Sequence, residues 1–403
     1  MTRQQHQQLN VDFDVVVVGG GPSGAVAATD LARAGRHVML LDRAGRIKPC
    51  GGAIPPRLIK DFDIPDHLIV AKSTSARMIA PSSKEVDMPV GDGFVGMVDR
   101  DVFDEWLRAR AALTGAERRT GSFTRIDRDD DGCAVVVYTE RRGGEEHRVR
   151  ARSVIGADGA RSAVARQELR GADRIPCVFA YHEIVKSPPA SAAFNPSRCD
   201  VVYQGKFSPD FYAWVFPHGE TTSIGVGSAN KGYELRDAIT RLRAENGMTE
   251  CETLRCEGAP IPLKPLKRWD NGRDVLVAGD AAGVVAPASG EGIYYAMAAG
   301  RFAADAIEAF LATGKVSALK GARRQFMKAH GKVFLVLGIM QHFWYRNDKR
   351  REAFVKICED KDVQELTWQA YMNKELVRQK PMAHVRIFIK DMSHLLGFRD
   401  VKA

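Results

Sequence analysis

Residues 14–24, which spell DVVVVGGGPSG, carry the most informative pattern in the chain. The run of four valines predicts a buried parallel strand, and a glycine-rich turn over 19–24 follows it directly. A helix over 25–34, ended by Gly35, and a second strand over 37–41 complete a strand–turn–helix–strand unit. The unit predicts a parallel sheet with a helix packed on it.

The glycine turn also predicts a binding site. Three glycines and a serine occupy the pattern G-x-G-x-x-G between strand and helix: Gly19, Gly21, Ser23 and Gly24. In this setting the backbone N–H groups and the helix dipole face a pyrophosphate. Asp42 ends the second strand, where its carboxylate can accept hydrogen bonds from a ribose, and the adjacent Arg43 is a further predicted contact. Because the pattern serves both NAD and FAD, this turn leaves the choice of dinucleotide open.

Size and charge restrict the class of protein. At 403 residues the chain exceeds what one hydrophobic core usually supports, so we expect two domains and a tail. Hydrophobic residues (45%) and charged residues (27%) are in ordinary globular proportion, which argues against extensive disorder. The net charge of +9 favours anionic partners, such as a nucleotide phosphate or an anionic membrane surface. Because zinc-finger spacing, RNP-like motifs and concentrated Lys/Arg tracts are absent from the sequence, we expect no nucleic-acid partner.

Cysteine usage and apolar runs bear on location. Seven cysteines are scattered without C-x-x-C spacing, which predicts a reducing compartment and no metal site. The polar start, MTRQQHQQLNVDFD, predicts no secretory signal. The most apolar late run, residues 333–340, is shorter than the roughly 20 residues that span a bilayer. We therefore expect a cytoplasmic protein with no membrane-spanning helix.

The pattern changes along the rest of the chain. An amphipathic helix is predicted over 99–113, followed by strands over 134–138, 145–152 and 153–157. Aromatic and β-branched residues from 177 to 226 predict a separate antiparallel sheet. Strand 274–278, the helix after Gly292 and the basic helical segments beyond 321 follow.

These segments define the predicted architecture. The fold class is α/β (α+β overall), with a Rossmann-like dinucleotide-binding domain, an inserted antiparallel-sheet substrate domain and a C-terminal helical segment. The predicted bounds are 10–175 with 260–320 for the first domain, 176–259 for the second and 321–403 for the helical segment.

A second glycine motif narrows the cofactor. Residues 275–283, VLVAGDAAG, resemble the second FAD motif of the para-hydroxybenzoate hydroxylase-like flavoproteins. The resemblance implies FAD, with Gly279 in the turn, Asp280 at the ribityl chain and a helix N-terminus at the pyrimidine end of the isoalloxazine. A positive helix end there would stabilise the anionic reduced flavin. The positions that match this helix start are Pro287, Gly290, Gly292 and Ile293.

Two further elements match the same flavoproteins. Arg100, with Asp104 one turn later, resembles the R-x-x-x-(D/E) element whose arginine reaches the FAD phosphates. A structural i,i+4 salt pair explains these two residues almost as well. Asp158 opens the segment DGARS, which resembles the family's Asp-Gly motif near the pyrophosphate, and an ordinary turn is its alternative.

Residues 48–55, KPCGGAIP, look like the cysteine loop of geranylgeranyl reductases, which hydroxylases of this fold usually lack. Three other segments match the same family: 61–65 (DFDIP), 212–217 (YAWVFP) and 288–295 (ASGEGIYY). The resemblance covers about residues 10–380 and is nearest to the purple-bacterial bacteriochlorophyll type. It implies that Cys50, Gly51 and Gly52 contact the flavin.

This resemblance implies FAD-dependent reduction of the isolated C=C bonds of a geranylgeranyl chain to a phytyl chain, in (bacterio)chlorophyll biosynthesis. The implied substrates are geranylgeranyl-bacteriochlorophyll a and geranylgeranyl diphosphate, with NADPH as electron donor and the prenyl-attaching enzyme as a partner. The protein would then be cytoplasmic or peripheral on the cytoplasmic face of the photosynthetic inner membrane. The apolar segment with basic ends over 332–346 suits an interfacial helix, a prenyl-tunnel wall or a buried core helix.

Reducing an isolated alkene needs a proton donor and walls that tolerate positive charge, because no carbonyl is present to polarise. Tyr212, Trp214 and Phe216 alternate along a predicted strand and share one face, as a substrate pocket or an aromatic core. A cysteine thiol with its ordinary pKa of about 8.5 is protonated at neutral pH and can donate. Cys50 and Glu291 are therefore candidate catalytic acids, although either could only fix its loop.

Two other functions fit the same scaffold. A flavin monooxygenase would pass electrons to oxygen, but the cysteine loop and the segment 212–217 argue against it. A non-catalytic prenyl-binding protein would have lost a competent flavin site, and the intact glycines of both FAD motifs argue against that. We expect His182 and His218 to be ordinary hydrogen-bonded core or surface histidines.

Overall fold

The computed structural model describes residues 10–43, 47–48, 50–141 and 143–374. Position 49 of the segment 48–55, and positions 375–403 of the predicted C-terminal segment, lie outside the described residues. The strands are β1 (Phe13–Val18), β2 (Val38–Asp42), β3 (Ala53–Ile54), β4 (Ala71–Ser73), β5 (Ser75–Ile79), β6 (Glu85–Pro89), β7 (Val95–Met97), β8 (Glu117–Thr120), β9 (Ser122–Arg128), β10 (Ala134–Thr139), β11 (Glu146–Gly156), β12 (Cys177–Lys186), β13 (Arg198–Val202), β14 (Ala213–His218), β15 (Thr221–Ser228), β16 (Thr253–Pro262) and β17 (Val275–Val277).

Helices connect and cover these strands. They are α1 (Pro22–Arg33), α2 (Pro56–Asp61), α3 (Arg100–Leu113), α4 (Ala163–Glu168), α5 (Leu235–Glu245), α6 (Ile293–Thr313), α7 (Lys320–Trp344), α8 (Asp348–Ile357) and α9 (Lys361–Asn373). Short 3₁₀ turns occur at Asp66–Leu68, Ala172–Arg174, Gly279–Ala282 and Val316–Leu319. No helix within the described ranges is both long enough and apolar enough to cross a membrane.

The first of two compact units comprises the described residues of 1–48, 100–177 and 260–331, and it contains a seven-stranded sheet. The strand order is β8-β2-β1-β11-β10-β9, with β17 also paired to β11. β1 lies between two parallel neighbours, and Val15, Val16 and Val17 are fully buried. A strand covered on both faces needs apolar side chains at every position, which explains the valine run. The predicted Rossmann-like sheet is confirmed.

Strand β11 joins two kinds of pairing within one segment. Its residues 146–151 pair with β10 in antiparallel register, whereas residues 151–156 pair with β1 in parallel register. Its last three residues also pair with β17. The sequence analysis divides this segment into two strands at Arg152, where the structure has a single continuous strand. A long strand that exchanges partners halfway also changes from half-exposed to buried at that point. The accompanying change in amino-acid composition resembles the boundary between two strands.

The second unit comprises the described residues of 49–99, 178–259 and 332–403, with its own seven-stranded sheet. The order is β16-β12-β15-β14-β13-β5-β6, and a small sheet β3-β7-β4 accompanies it. Helix α5 covers the larger sheet, where Ile239 and Leu242 pack with Val185, Ile224 and Val226. The separate sheet predicted from the aromatic-rich segment is therefore present.

Residues 49–99 belong to this second unit, whereas the sequence analysis places them in the first domain. The cause is strand pairing, because β5 adds to β13 in parallel register and β6 adds to β5. Strands of three to five residues show little periodicity, and the partner β13 lies more than one hundred residues away. The second sheet is accordingly mixed rather than purely antiparallel.

Helix α6 packs directly on the start of α1 in the first unit. Gly300 lies at this crossing, and a Cβ there would overlap the carbonyl oxygen of Ser23 and lie 3.0 Å from its carbonyl carbon. Backbone-to-backbone contact of this kind is available only to glycine. The helix that follows the second FAD motif is thus seated on the turn that contains the first.

Replacing Gly300 with alanine should destabilise the first unit by about 1–3 kcal/mol, because the added methyl group must push α6 away from α1. Urea denaturation followed by circular dichroism measures the change. Gly321→Ala is the matched control, since its Cβ would lie at an ordinary 3.8 Å from that of Ala306. Equal stability of the two variants would contradict the close packing.

Candidate functional site

The first glycine turn is shaped by backbone contacts that no other residue could make. Gly19 has φ +105°, and a Cβ there would overlap the carbonyl oxygen of Ala157 at the end of β11. A Cβ on Gly24 would overlap the carbonyl oxygen of Gly19. Around Gly21, by contrast, a Cβ would meet nothing within 4 Å. The turn is closed towards the sheet and open at the position where a pyrophosphate would approach.

The N-terminus of α1 is available for an anion. Its N-cap residue, Gly21, provides no side-chain cap, and Pro22 occupies the first turn. The Ser23 hydroxyl is buried and has no hydrogen-bond partner among the described residues. Unsatisfied buried donors at a helix N-terminus are the groups that phosphate oxygens commonly satisfy.

Asp42 lies beside this turn and has a partner that the sequence analysis missed. A Cβ on Gly20 would lie 2.8 Å from both the Cβ and an oxygen of Asp42. Arg108 Nη1 lies 3.3 Å from the Gly20 carbonyl oxygen and 3.3 Å from Asp42 Oδ2. Arg43, the neighbouring predicted contact, is exposed. Arg108 follows Arg100 by two turns on α3, and that spacing is the one sequence signal that could have found it.

Arg100 and Asp104 form the structural salt pair that was the alternative to a cofactor role. Arg100 Nε and Nη2 donate to the two oxygens of Asp104 at 2.9 and 2.7 Å, and both residues are buried. A buried bidentate pair holds the arginine firmly. Phosphate binding by Arg100 stays a prediction.

The second FAD motif meets the first in space. Gly279 has φ +65°, and a Cβ there would lie 2.7 Å from the Ser23 Cβ, although the two residues are far apart in sequence. Asp280 is buried and forms an ion pair with Lys48. The sequence analysis placed Lys48 in the cysteine loop but gave it no role. Both glycine motifs and Asp280 therefore lie around the start of α1.

The segment 286–292 forms a tight turn before α6. Ala286 N donates to the Glu291 carbonyl oxygen at 2.8 Å, and Gly290, with φ +64°, donates to the Ala286 carbonyl oxygen at 3.0 Å. Pro287 is buried within this turn, Gly292 provides the N-cap, and α6 begins at Ile293. Glu291 is half-buried. The pKa of Tyr295 is raised first by burial and then by the charge of Glu291.

Asp158 caps a helix. Its carboxylate accepts from the backbone N–H groups of Ala163 and Val164 at 2.6 and 3.3 Å and from the Ser162 hydroxyl. Burial raises the pKa of Asp158, while these donors act to lower it. The contacts describe a capped turn at the start of α4. A pyrophosphate role for Asp158 stays a prediction.

A thiol that the sequence analysis did not consider lies close to the second motif. Burial first, and then the charge of Asp280, raise the pKa of Cys177, and the charge of Arg161 lowers it. The Cys177 thiol is therefore protonated at neutral pH.

The first unit as a whole fits a dinucleotide. It offers glycines whose absent side chains leave a cradle, an uncapped helix start, an unpartnered buried hydroxyl and a carboxylate at the end of β2. These are the donor and acceptor types that a pyrophosphate and a ribose require. Among the described residues, no cluster of histidine, cysteine or carboxylate side chains could hold a metal ion.

The cysteine loop, residues 48–55, is described in the second unit from Cys50 onward. Cys50 is half-buried, and its sulfur accepts a hydrogen bond from the Gly52 backbone N–H at 3.4 Å. The Gly51 carbonyl oxygen accepts from His218 Nε2 at 3.0 Å. The loop is thus held by the end of β14.

The three predicted aromatic residues form a row that reaches this loop. Ring centroids are 6.1 Å apart for Tyr212 and Trp214 and 6.3 Å apart for Trp214 and Phe216. A Cβ on Gly51 would lie 2.9 Å from Phe216 Cδ2 and 3.8 Å from Trp214 Nε1. Tyr212 and Trp214 are 9% and 6% exposed, so the row is packed as an aromatic core, and a substrate-lining role for it stays a prediction.

A buried polar chain orients Trp214. Its indole N–H donates to the Ser223 hydroxyl at 3.1 Å, and His182 Nδ1 lies 3.1 Å from the same hydroxyl. His182 Nε2 lies 2.8 Å from a carboxylate oxygen of Glu257. Because a carboxylate oxygen accepts, Nε2 is the donor in this contact. His182 is the satisfied core histidine that was expected, and it fixes the rotamer of a predicted substrate contact.

Two family models and several curated relatives match most of this chain. The FAD binding domain family matches residues 71–327, and the NAD(P)-binding Rossmann-like domain matches residues 17–69. The geranylgeranyl diphosphate reductase of Rhodobacter capsulatus is 59% identical over 385 residues, which cover 96% of this chain and 98% of that protein. The chloroplastic geranylgeranyl diphosphate reductase of Oryza sativa is 36% identical, covering 95% of this chain and 86% of that protein.

Solved structures show the same fold. A geranylgeranyl bacteriochlorophyll reductase-like protein from Thermoplasma acidophilum superposes with a TM-score of 0.79 at 21% identity, covering 94% of this chain and 99% of that one. The glycine motifs, the cysteine loop and these relatives all indicate the same family. The chain belongs to the geranylgeranyl diphosphate reductase family of FAD-dependent oxidoreductases.

Proposed function

We propose that this protein reduces the isolated C=C bonds of a geranylgeranyl chain to give a phytyl chain, with NADPH as the electron donor. The substrate is geranylgeranyl-bacteriochlorophyll a or geranylgeranyl diphosphate. The observation that carries the proposal is the aromatic row Tyr212, Trp214 and Phe216 ending against the cysteine loop. An apolar wall beside a protonatable group suits an alkene better than it suits a polar substrate.

Cys50 and the aromatic row of the second unit, and Glu291 of the first unit, have distinct roles in this proposal. FAD supplies the hydride when bound and reduced. Cys50 supplies the proton to the other alkene carbon, and the Gly52 N–H that contacts its sulfur stabilises the thiolate left behind. The faces of Trp214 and Phe216 stabilise the positive charge that develops as the alkene is protonated. Glu291 is the alternative acid, and its turn 286–292 is the reason for testing it.

The residues of the first unit bind the cofactor. Asp42 accepts from the ribose, Asp280 holds the ribityl chain, and the glycine turn with Ser23 binds the pyrophosphate. Arg100 and Asp158 are assigned to the phosphates, and the uncapped start of α6 to the flavin pyrimidine. The remaining assigned contacts are Arg43, Pro287, Gly290, Gly292 and Ile293, together with Gly51 and Gly52 of the second unit.

Helix α7 provides a surface for peripheral membrane association. Leu335, Val336 and Ile339 are 65%, 39% and 61% exposed, and their spacing places them on one helix face. Lys332 and Arg346 are exposed at either end of this stretch. An apolar face with basic ends suits an anionic bilayer. We assign the protein to the cytoplasmic face of the photosynthetic membrane, where its prenylated substrate and the prenyl-attaching enzyme would be found.

The reaction itself gives the decisive test. Anaerobic incubation of the FAD-loaded protein with NADPH and geranylgeranyl-bacteriochlorophyll a should add hydrogens in pairs to the esterifying alcohol, as followed by mass spectrometry. No oxygen should be incorporated. A product that appears only in air and carries one added oxygen atom would instead establish a monooxygenase.

Variants in the same assay identify the acid. Cys50→Ala should retain flavin reduction by NADPH but lose about a hundredfold in prenyl reduction, because general-acid catalysis is typically worth 10²–10⁴. Glu291→Gln should cost less than about tenfold. Cys251→Ala, a half-buried thiol elsewhere in the same unit, is the control. A larger loss in Glu291→Gln than in Cys50→Ala would transfer the role to the carboxyl group.

Arg108→Met should weaken FAD binding by about tenfold or more, because it removes charge-assisted hydrogen bonds to Asp42 and Gly20. Fluorescence titration of the apoprotein with FAD measures the affinity. Arg36→Met, which breaks the ion pair with Glu308 in the same unit, should leave the affinity unchanged. If both variants bind FAD like the wild type, Arg108 does not organise the site.

Membrane association through α7 predicts that Leu335→Glu/Ile339→Glu partitions about tenfold less into phosphatidylglycerol-containing vesicles, since two apolar side chains no longer enter the bilayer. Co-sedimentation measures bound protein. Leu254→Glu, at a side chain 48% exposed on β16, is the matched control. If both variants lost vesicle binding equally, the loss would instead reflect non-specific repulsion between the added glutamates and the anionic vesicles.

A further inference from the structure

His218, the last residue of β14, anchors the cysteine loop through two contacts. Its Nε2 donates to the Gly51 carbonyl oxygen at 3.0 Å, and its Nδ1 lies 3.2 Å from Asp99 Oδ1. The imidazole side chain is 4% exposed, whereas that of Asp99 is 39% exposed. A carbonyl oxygen can only accept, so the Nε2 proton is committed to the loop.

The loop backbone fits against this imidazole with no spare room. Gly52 has φ +70°, and a Cβ there would overlap His218 Cε1 and lie 2.5 Å from the Val98 carbonyl oxygen. Val98 N donates to the Gly52 carbonyl oxygen at 2.9 Å. A Cβ on the adjacent Gly51 would lie 2.9 Å from Phe216 Cδ2. Two successive glycines are therefore required because a side chain and a strand already occupy the space beside them.

One peptide group connects His218 to Cys50. The Gly51 carbonyl oxygen and the Gly52 N–H belong to the same planar trans peptide, so they point in opposite directions. His218 contacts the oxygen, and the N–H donates to Cys50 Sγ at 3.4 Å. Fixing the oxygen fixes the direction of the N–H. Hydrogen bonds in such a chain also polarise one another, which strengthens the bond to the sulfur.

We propose that His218 is a positioning residue, which holds the Gly51–Gly52 peptide so that its N–H stabilises the Cys50 thiolate. The inference rests on the proposed function. In the reaction the Cys50 S–H bond would break and its proton would form a C–H bond at one alkene carbon, while bound, reduced FAD would supply the hydride for the C–H bond at the other carbon. The sulfur retains the electron pair as a thiolate, which water reprotonates. His218 neither gains nor loses a proton.

Two variants that nearly match in size separate the hydrogen bond from the packing. His218→Gln keeps an N–H that can reach the Gly51 oxygen, whereas His218→Leu fills similar space without a donor. In anaerobic stopped-flow experiments, reduction of bound FAD by NADPH should be unchanged in both. Reoxidation of the reduced enzyme by the prenyl substrate should slow about tenfold or more in His218→Leu, with KM unchanged, and stay within about threefold of wild type in His218→Gln.

A second measurement needs no substrate. Hydrogen exchange of the peptide containing Gly52, measured by mass spectrometry on the FAD-loaded enzyme, should be about tenfold faster in His218→Leu and near wild type in His218→Gln. His67→Ala, at an exposed histidine of the same unit, should change neither measurement. Unchanged exchange in His218→Leu would overturn the anchoring, and faster exchange with normal reoxidation would overturn its role in proton transfer.

The two proposals can fail separately. If the wild-type enzyme does not reduce the prenyl chain, but Gly52 exchange still responds to His218→Leu and not to His218→Gln, the proposed function is wrong and the anchoring stands.

Discussion

The architecture depends on how closely polypeptide backbones approach one another around the start of α1. Gly24 contacts the Gly19 carbonyl, Gly19 contacts Ala157 directly after β11, and Gly300 of α6 contacts the Ser23 carbonyl. Each contact would be lost if a single methyl group were added. Because these contacts join elements from distant parts of the sequence, they align the open side of the turn, Asp42 and the second glycine motif. The binding properties of the first unit follow from this absence of side chains.

Glycines also allow close packing in the second unit, where they fix the conformation of a loop. Gly51 and Gly52 bring a loop against Phe216, His218 and Val98, so that the loop conformation is determined by side chains of the sheet. Gly225 lies against the ring of Trp214, which the chain Ser223–His182–Glu257 holds through its indole N–H. Buried polar networks that are fully satisfied give a core a unique arrangement. The distinction between a substrate wall and a core is therefore not sharp at Trp214, since a wall must be rigid to orient a flexible prenyl chain.

Local patterns predicted much of this structure, and long-range contacts explain what they missed. The valine run, both glycine motifs and the aromatic alternation could be identified because each signal lies within a few adjacent residues. Lys48 and His218 could not, since each acquires its importance from a partner distant in the sequence, and Arg108 could be found only through its spacing from Arg100. The difference between the predicted domain bounds and the two compact units at residues 49–99 has the same origin. Short strands such as these pair with a sheet whose other strands come much later in the sequence.

Strand β11 has a consequence for how the chain is made. Its first half pairs with the hairpin partner just before it, so β9, β10 and β11 can assemble soon after they leave the ribosome. Its second half supplies the edge on which β1 and β17 dock, and β17 lies at residues 275–277. Between those two moments the second sheet must be synthesised while the first is incomplete. Until β17 is synthesised, the nascent chain therefore carries an unpaired strand edge at residues 154–156 of β11, which is the kind of surface that chaperones bind and that promotes aggregation.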